Sequence, residues 1–533
     1  MKTISTSLPG AGIIVLLIGL GGCTTLGPDF ERPEATIEPQ WLETGDAETG
    51  LHATESDHSD WWTLFNDPVL DKLIQQAYQQ NLPLQIAGLR IMEARAQLGI
   101  AVGSQYPQLQ QAAGALTRVN LSENSANFNP VADDTFWTAN AGFDAAWELD
   151  FWGRYRRGVE AASANLGTQV ANYDNALVSL TAEVASVYVQ IRTLQERLAV
   201  AHANVKTQQN GYRIADVRFR SGATSELDPA QALTLLRNTQ AQIPALETSI
   251  RQATNALSVL LGMPPTDLTG ILGEGGIPDA PANIAVGVPA ELLRRRPDIR
   301  TAELQAASQS ALIGVAESEL YPRFSLVGSV GYTTSDTNQS DLGDIFNSDS
   351  FGYSFGPSFS WPILNYGRLK NNVRVQDARY EELIVNYQNT VLEAAREVED
   401  GLSSFLGAKA SAGFLGESVK SAQRSVDLSL IQYREGAVDY QRVLDSQASL
   451  LAQQDQHTSA RGDITLNLVA TYKALGGGWQ IRTGNEVVPQ VRQERMIERT
   501  DWGALIPAEP PAAGLPEPPP TGSAQPLFNS PDW

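Results

Sequence analysis

The chain has few of the thiol and imidazole side chains that commonly act in catalysis or bind metals, and they are far apart in the sequence. The 533 residues include one cysteine, Cys23, and four histidines at positions 52, 58, 202 and 457. A single thiol excludes an internal disulfide framework and a cysteine-based zinc site, and the histidines are too scattered to propose a metal cluster. Gly273-Glu274-Gly275-Gly276 lacks the preceding strand and the following Lys-Ser/Thr of a phosphate-binding loop. Since no nucleophile elbow or zinc-protease motif occurs either, we predict a protein that is not an enzyme and has no dissociable cofactor.

Cys23 is placed for covalent modification. Lys2 and the apolar run 13–20 have the form of a secretory signal, and that run is too short to span a bilayer. It ends in Leu20-Gly21-Gly22-Cys23, which resembles a bacterial lipobox, and no inner-membrane retention Asp follows. We expect a signal peptide at 1–22 and a diacylglycerol and N-acyl chain on Cys23 that anchor the mature chain to a membrane. An ordinary signal peptide with an incidental cysteine is the alternative.

The charge balance argues against nucleic acid as a partner. Lys and Arg number 38 against 60 Asp and Glu, a formal charge of −22, whereas nucleic-acid binding needs a basic surface. The run Arg294-Arg295-Arg296 could suggest phosphate binding. Because Pro297-Asp298 follows at a predicted helix start, a structural entry turn is the favoured interpretation.

The sequence contains an internal duplication. Residues 147–154 (WELDFWGR) match 361–368 (WPILNYGR) at an offset of 214, and Gly222-Ala223 matches Gly436-Ala437 at the same offset. Self-similarity of this kind indicates two structural copies, which we place at 82–262 and 297–476. Each copy is predicted to hold a helix, two strands, one very long helix and a return helix.

The spacing of apolar residues differs between the predicted strands and the predicted helices of each copy. Residues 137–149, 324–332 and 351–363 alternate between apolar or aromatic side chains and small or polar ones, which is typical of strands with lipid on one side and water on the other; a soluble half-buried sheet is the alternative. A further strand at about 107–118 is predicted only by the repeat. Apolar residues then follow heptad spacing from Leu166 to Leu198 and from Tyr380 to Val398, which predicts coiled-coil packing of long helices at 154–221 and 368–435.

Four strands per chain are too few to close a barrel, because the smallest transmembrane barrels have about eight. An open sheet in lipid would leave its edge hydrogen bonds unsatisfied, so the sequence predicts a barrel built from several chains. Two chains would give eight strands with a filled interior, and three would give twelve with a possible lumen.

Taken together, these features resemble the TolC-like outer-membrane efflux factors, in the lipoprotein branch similar to NodT and OprM. The motifs that carry the resemblance lie between about residues 20 and 480 and are listed here: the lipobox at Cys23, Trp61-Trp62, Phe65-Asn66-Asp67-Pro68, the Tyr-Pro and Gly-Arg pairs of both copies, 294–299 (RRRPDI) and 472–479 (YKALGGGW).

The resemblance implies an α+β membrane protein: a homotrimer whose twelve-stranded outer-membrane β-barrel, four strands per chain, is continuous with a long periplasmic α-helical coiled-coil barrel. It implies an exit duct for small molecules in a tripartite efflux system of a Gram-negative bacterium. A periplasmic adaptor, an inner-membrane pump of the RND type and outer-membrane lipid are the implied partners. A duct for type I protein secretion, or a passive channel of the same fold, is the alternative.

The remaining segments are assigned around that duct. Residues 23–81 form a lipid-anchored acidic segment that we expect to wrap the helices near their equator, and 263–296 and 477–506 complete this equatorial belt. Residues 507–533 include nine prolines, a composition typical of a disordered tail.

Two groups of site residues are predicted at the far end of the long helices. A glycine marks each chain reversal, where it would serve as a helix C-cap, and the resemblance implies that the two turns dock the adaptor. These tip residues are Arg220, Ser221, Gly222, Arg434, Glu435 and Gly436.

The second group is a predicted periplasmic constriction formed by Asp445, Arg442 and Gln441. The resemblance implies a ring of acidic residues at the position of Asp445, which would attract cations. Arg442 lies three residues earlier, so an ion pair between the two could neutralise the ring. A surface carboxylate with no gating role is the alternative.

Overall fold

The computed structural model describes most of the chain. The described residues are 24–45, 51–52, 58–124, 126, 133–281, 284–287, 289, 295–337 and 340–506. The predicted signal peptide at 1–22, Cys23, Arg294 and the proline-rich segment 507–533 lie outside them.

Two helices of equal length dominate the fold. In chain order the helices are α1 (Pro68–Gln80), α2 (Leu82–Gly103), α3 (Arg154–Arg220), α4 (Leu227–Leu260), α5 (Thr269–Leu272), α6 (Pro297–Ser318), α7 (Arg368–Arg434), α8 (Tyr440–Ala474) and α9 (Gln490–Arg499). Both α3 and α7 contain 67 residues, which at 1.5 Å per residue is a length of about 100 Å. The prediction of two long helices from the heptad pattern is confirmed to within one residue at their ends.

The heptad positions of α3 are its buried face. Leu177, Val184 and Ile191 are fully buried, as are Val391 and Val398 on α7. The helices α4 and α6 pack end to end along α3, while α8 packs along both α7 and α3. This arrangement carries the chain from the sheet at one end to the two helical hairpins at the other.

The strands form one four-stranded antiparallel sheet. Its strands are β2 (Leu109–Asn120), β3 (Thr135–Leu149), β5 (Arg323–Ser335) and β6 (Phe351–Ser360), in the spatial order β2-β3-β5-β6. Phe143 lies opposite Val330, which lies opposite Tyr353, so the apolar side chains form rows on one face, as the alternation predicts. The outer edges of β2 and β6 have no partner strand among the described residues.

The last strand is shorter than the sequence pattern suggested. Alternation through Ile363 predicted a strand to that point, but β6 ends at Ser360. Pro362 follows two residues later, and its missing N–H cannot extend a ladder of hydrogen bonds.

The acidic segment and the linker between the copies meet in the middle of the molecule. Residues Leu51–His52 (β1) pair in parallel with Ile284–Ala285 (β4). Nearby, Trp61 stacks on Tyr472 with ring centroids 5.4 Å apart. Gly478 has a positive φ of 98°, and a Cβ there would lie 2.8 Å from Thr181 Oγ1. The Gly-Gly-Gly-Trp motif therefore allows the chain to turn tightly over α3.

A buried ion pair fixes this central region to α3. Arg482 donates to the carboxylate of Asp174, and Asp174 is only 1% exposed. Burial raises the pKa of the Asp174 carboxyl above its usual range, and Arg482 opposes that shift. Of the helices in the described ranges, none combines the length and the hydropathy that a membrane crossing requires.

Substitution Arg482→Met is expected to destabilise the protein strongly. It leaves the buried Asp174 carboxylate without its hydrogen-bonded counter-charge, a change that costs about 3–5 kcal/mol. The free energy of unfolding by chemical denaturation in detergent measures this loss.

The control is Arg396→Met, which removes two exposed ion pairs on α7, with Glu393 and with Asp400. Exposed pairs contribute about 0–1 kcal/mol. Equal losses in the two variants would contradict the assignment of Asp174–Arg482 as the fixing contact.

Candidate functional site at the helix tips

The two predicted tip turns occupy equivalent positions in the two copies. Gly222 follows the end of α3 and Gly436 follows the end of α7, with φ of 72° and 76°. Past each turn an N–H returns to the helix, from Ala223 to Arg218 O and from Ala437 to Gln432 O, both at 2.9 Å. These are the hydrogen bonds of a left-handed helix C-cap. A Cβ on Gly222 would touch nothing, so its backbone conformation alone accounts for the glycine.

The tip residues named from the sequence are all exposed, and they are listed here: Arg220, Ser221, Gly222, Arg434, Glu435 and Gly436. Arg220 forms an ion pair with Asp216 one turn earlier, with Nε 2.9 Å from Oδ2. Apolar side chains beside them are exposed as well, including Val217 on α3 and Ile431 on α7. The tips thus present both polar and apolar groups to a partner.

An arginine of the first hairpin caps the second. Arg218 Nη1 donates to the carbonyl oxygens of Tyr433 and Arg434, both at 2.9 Å. Its guanidinium also lies 4.9 Å from the centroid of the Tyr433 ring. A cation at the C-terminus of α7 interacts favourably with the helix dipole and with carbonyls that have no partner in the helix. Arg218 therefore fixes the end of α7 to the end of α3.

A tyrosine makes the reciprocal contact. Tyr433 Oη donates to Asp228 Oδ2 at 2.8 Å, and Thr224 donates to the same carboxylate. The Tyr433 ring packs edge-on against Tyr440 with centroids 4.9 Å apart. Burial, with the hydrogen bond to Asp228, raises the pKa of Tyr433 to about 12, so the hydroxyl stays protonated and donating at neutral pH.

Sequence reasoning missed Asp228, Tyr433 and the role of Arg218. The available signal was weak: Asp228 precedes Pro229 in the first turn of α4, a pattern that indicates only a helix start. No periodicity relates residues 205 positions apart in different copies.

The candidate constriction residues lie on the first turns of α8. Gln441, Arg442 and Asp445 are exposed in the single chain. The expected ion pair between Arg442 and Asp445 is not formed: Gln441 Nε2 donates to Asp445 Oδ1 at 2.8 Å. Gln441 also accepts from Gln231 of α4 at 3.4 Å. Because the Asp445 carboxylate is bound by Gln441 and forms no ion pair with Arg442, these two residues remain separate charges.

At the opposite end of α3, the segment that follows Cys23 is held firmly. Leu26 N donates to Trp152 O at 3.1 Å, and buried Arg157 donates to Leu26 O, Gly27 O and Asp29. A Cβ on Gly27 would lie 2.4 Å from Gly314 Cα. Residues 24–29 therefore lie against the junction where the sheet passes into the long helices. Cys23 itself lies outside the described residues.

The described ranges contain no cluster of His, Cys, Asp and Glu that could hold a metal ion.

Comparison with known proteins gives matches over most of the chain. The family model "Outer membrane efflux protein" matches residues 73–263 and 288–477. Nodulation protein T of Rhizobium leguminosarum bv. trifolii is 31% identical over 463 residues, covering 86% of this chain and 95% of that protein. The solvent efflux pump outer membrane protein SrpC of Pseudomonas putida is 33% identical over 485 residues, covering 87% and 97%. The structure of the outer-membrane channel OprN matches with a TM-score of 0.79 and 29% identity, covering 85% of this chain and 99% of that one.

Tyr433→Phe is expected to loosen the contact between the two hairpins. It removes the hydrogen bond to Asp228 but keeps the aromatic packing, and it leaves a carboxylate oxygen short of one donor, a loss of about 1–2 kcal/mol. Hydrogen–deuterium exchange of the amides at 430–445 should become faster.

Tyr366→Phe is the control, because Tyr366 is almost fully exposed. Unchanged exchange at the tip in Tyr433→Phe, matching this control, would contradict a linking role for the Tyr433 hydroxyl.

Proposed function

The chain belongs to the outer membrane efflux protein family, and we propose that it forms the outer-membrane exit duct of a tripartite efflux system. It is an outer-membrane channel component and not an enzyme. The observation that carries the proposal is the joining of one open four-stranded sheet to two helices about 100 Å long, each of which ends in a helical hairpin.

The open sheet supports assembly as a homotrimer. The free edges of β2 and β6 expose backbone groups that lipid cannot satisfy, and four strands cannot close on themselves. Three chains give a twelve-stranded barrel wide enough for a lumen, whereas two give a barrel filled by side chains. The apolar row of Phe143, Val330 and Tyr353 would face lipid, and the opposite row of Asp144, Ser329 and Ser354 would face water.

The long helices of three chains would continue this barrel through the periplasm. A periplasmic adaptor would bind the tips, where exposed Val217 and Ile431 lie beside Arg220 and Glu435. An inner-membrane pump of the RND type would supply the cargo. SrpC is named for a solvent efflux pump, which supports small molecules as the exported class.

A type I secretion duct or a passive channel of the same fold is the second candidate. A pump-coupled duct should restore resistance to toxic compounds only in cells that also contain its adaptor and pump. A passive channel would instead increase permeability without either.

The N-terminal segment supports anchoring by lipid on Cys23. Because residues 24–29 are held at the sheet–helix junction by Arg157, acyl chains on Cys23 would enter the inner leaflet of the outer membrane beside the barrel. Two or more acyl chains give stable anchoring.

Cys23→Ser should abolish incorporation of radioactive fatty acid, since Cys23 is the chain's one thiol. The measurement is autoradiography of the purified protein. Label that persists in Cys23→Ser would overturn the lipid assignment without affecting the duct.

The duct is tested by planar-bilayer recording of purified protein whose detergent-corrected mass is that of three chains. If Asp445 and Arg442 line a shared constriction, Asp445→Asn removes three negative charges and should lower cation selectivity. Arg442→Gln removes three positive charges and should raise it, because the two residues are not paired.

Glu494→Gln on α9, far from the tips, is the control and should leave selectivity unchanged. Equal selectivity in all three variants would show that Asp445 and Arg442 do not line the pore. A mass of one chain would contradict the shared barrel.

A further inference from the structure

A small group of polar side chains is buried between α3 and α8, close to the tips. It comprises Gln208 and Gly211 on α3 and Tyr440 and Gln447 on α8, and we call it the polar node. Gln208, Tyr440 and Gln447 are each only about 1% exposed. Most residues around them on the same helix faces, such as Ala215 and Val443, are apolar.

The polar atoms of the node have no protein partner. The amide nitrogen and oxygen of Gln208 and of Gln447, and Tyr440 Oη, make no hydrogen bond to any described residue. Along the same helix pair the neighbouring polar groups are satisfied: Asn204 donates to Gln454 at 2.6 Å, and Arg197 Nε donates to Asp455 at 2.7 Å. Buried polar groups in proteins are almost always hydrogen-bonded, so the node requires a partner from outside the chain.

That partner must be small. The three side chains are too deeply buried for a neighbouring chain to contact them, and ordered water is what commonly satisfies such groups in protein interiors. Amide and hydroxyl groups offer both donors and acceptors, as a bridging water needs.

Gly211 lets α3 and α8 approach each other closely at the polar node. A Cβ at this position would lie 2.9 Å from Tyr440 Oη and 3.0 Å from Gln447 Nε2. Its φ is not in the left-handed region, and glycine inside a helix is less favourable than alanine. The close approach to α8 therefore accounts for glycine here.

The node lies behind the candidate constriction. On α8 the buried residues Tyr440, Val443 and Gln447 share one side of the helix, and Gln441 and Asp445 lie exposed between them. Any movement of this part of α8 relative to α3 must move Asp445 with it.

We propose that the polar node binds ordered water which bridges α3 and α8, and that this hydrated contact sets the position of the Asp445 turn in the duct. Gln208, Gln447 and Tyr440 are positioning residues in this scheme, since they act on the pore through α8. The inference rests on the proposed function for its effect on the pore, but the water site itself does not.

The first test is Gly211→Ala in the full-length trimer. The added methyl group would displace water from the node and push the first turns of α8 away from α3. Single-channel conductance in a planar bilayer should change several-fold relative to wild type. Gly413→Ala on α7 is the matched control, because it makes the same change inside a long helix where a Cβ meets nothing within 4 Å.

The second test replaces the two amides by apolar groups of similar size, in the double variant Gln208→Leu/Gln447→Leu. Loss of the bridging water and its hydrogen bonds should lower the thermal unfolding midpoint. Gln209→Leu, next to the node but exposed, is the control. A midpoint in the double variant equal to or above that of this control would show that the amides bind nothing, and would overturn the water site.

The direct test of the water site is a crystal structure at a resolution that shows ordered waters. Water bonded to at least two of Gln208, Tyr440 and Gln447 supports the proposal, and a dry node overturns it. If Asp445→Asn alters selectivity while Gly211→Ala behaves like Gly413→Ala, the positioning role is wrong and the proposed function stands. If wild-type protein forms no channels, the proposed function fails, and the positioning role fails with it.

Discussion

The unsatisfied edges of a four-stranded sheet are the constraint on which the rest of the molecule depends. Backbone N–H and C=O groups of β2 and β6 cannot remain unpaired in hydrocarbon, so the proposed barrel requires other chains to complete the sheet. In that barrel each chain would have to present its sheet at a fixed angle and height for its neighbours to pair with it. The long helices and the central belt serve that requirement, since they determine where the sheet lies relative to everything else.

Arginines make most of the contacts that fix this geometry. Arg157 holds the segment after Cys23, Arg192 donates to the carbonyls of Leu272 and Gly273, and Arg296 reaches Ala474 O and Glu397. In each case the planar guanidinium makes several hydrogen bonds at once. An acidic chain thus uses its scarce cations to join segments that lie far apart in sequence.

Much of the architecture was predictable because it repeats. Heptad spacing and the offset of 214 residues located α3 and α7 to within one residue, and alternation located β3 and β5, since both patterns are properties of local backbone geometry. The tip contacts were not predictable, because Tyr433 and Asp228 meet only through packing of one copy on the other. The partner of Asp445 was left open for a related reason: spacing allows a pair with Arg442, but Gln441 also lies within reach of the carboxylate and is its partner in the structure. Nothing local to the sequence decides between the two.

The equal length of α3 and α7 has an evolutionary consequence. An insertion of one heptad in α3 alone would keep its apolar stripe but would displace one tip from the other by about 10 Å, breaking the contacts of Arg218 and Tyr433. An insertion that is not a whole number of heptads would shift the stripe relative to its partner helix. Changes in the length of the long helices should therefore arise as insertions or deletions of the same whole number of heptads in both halves of the gene.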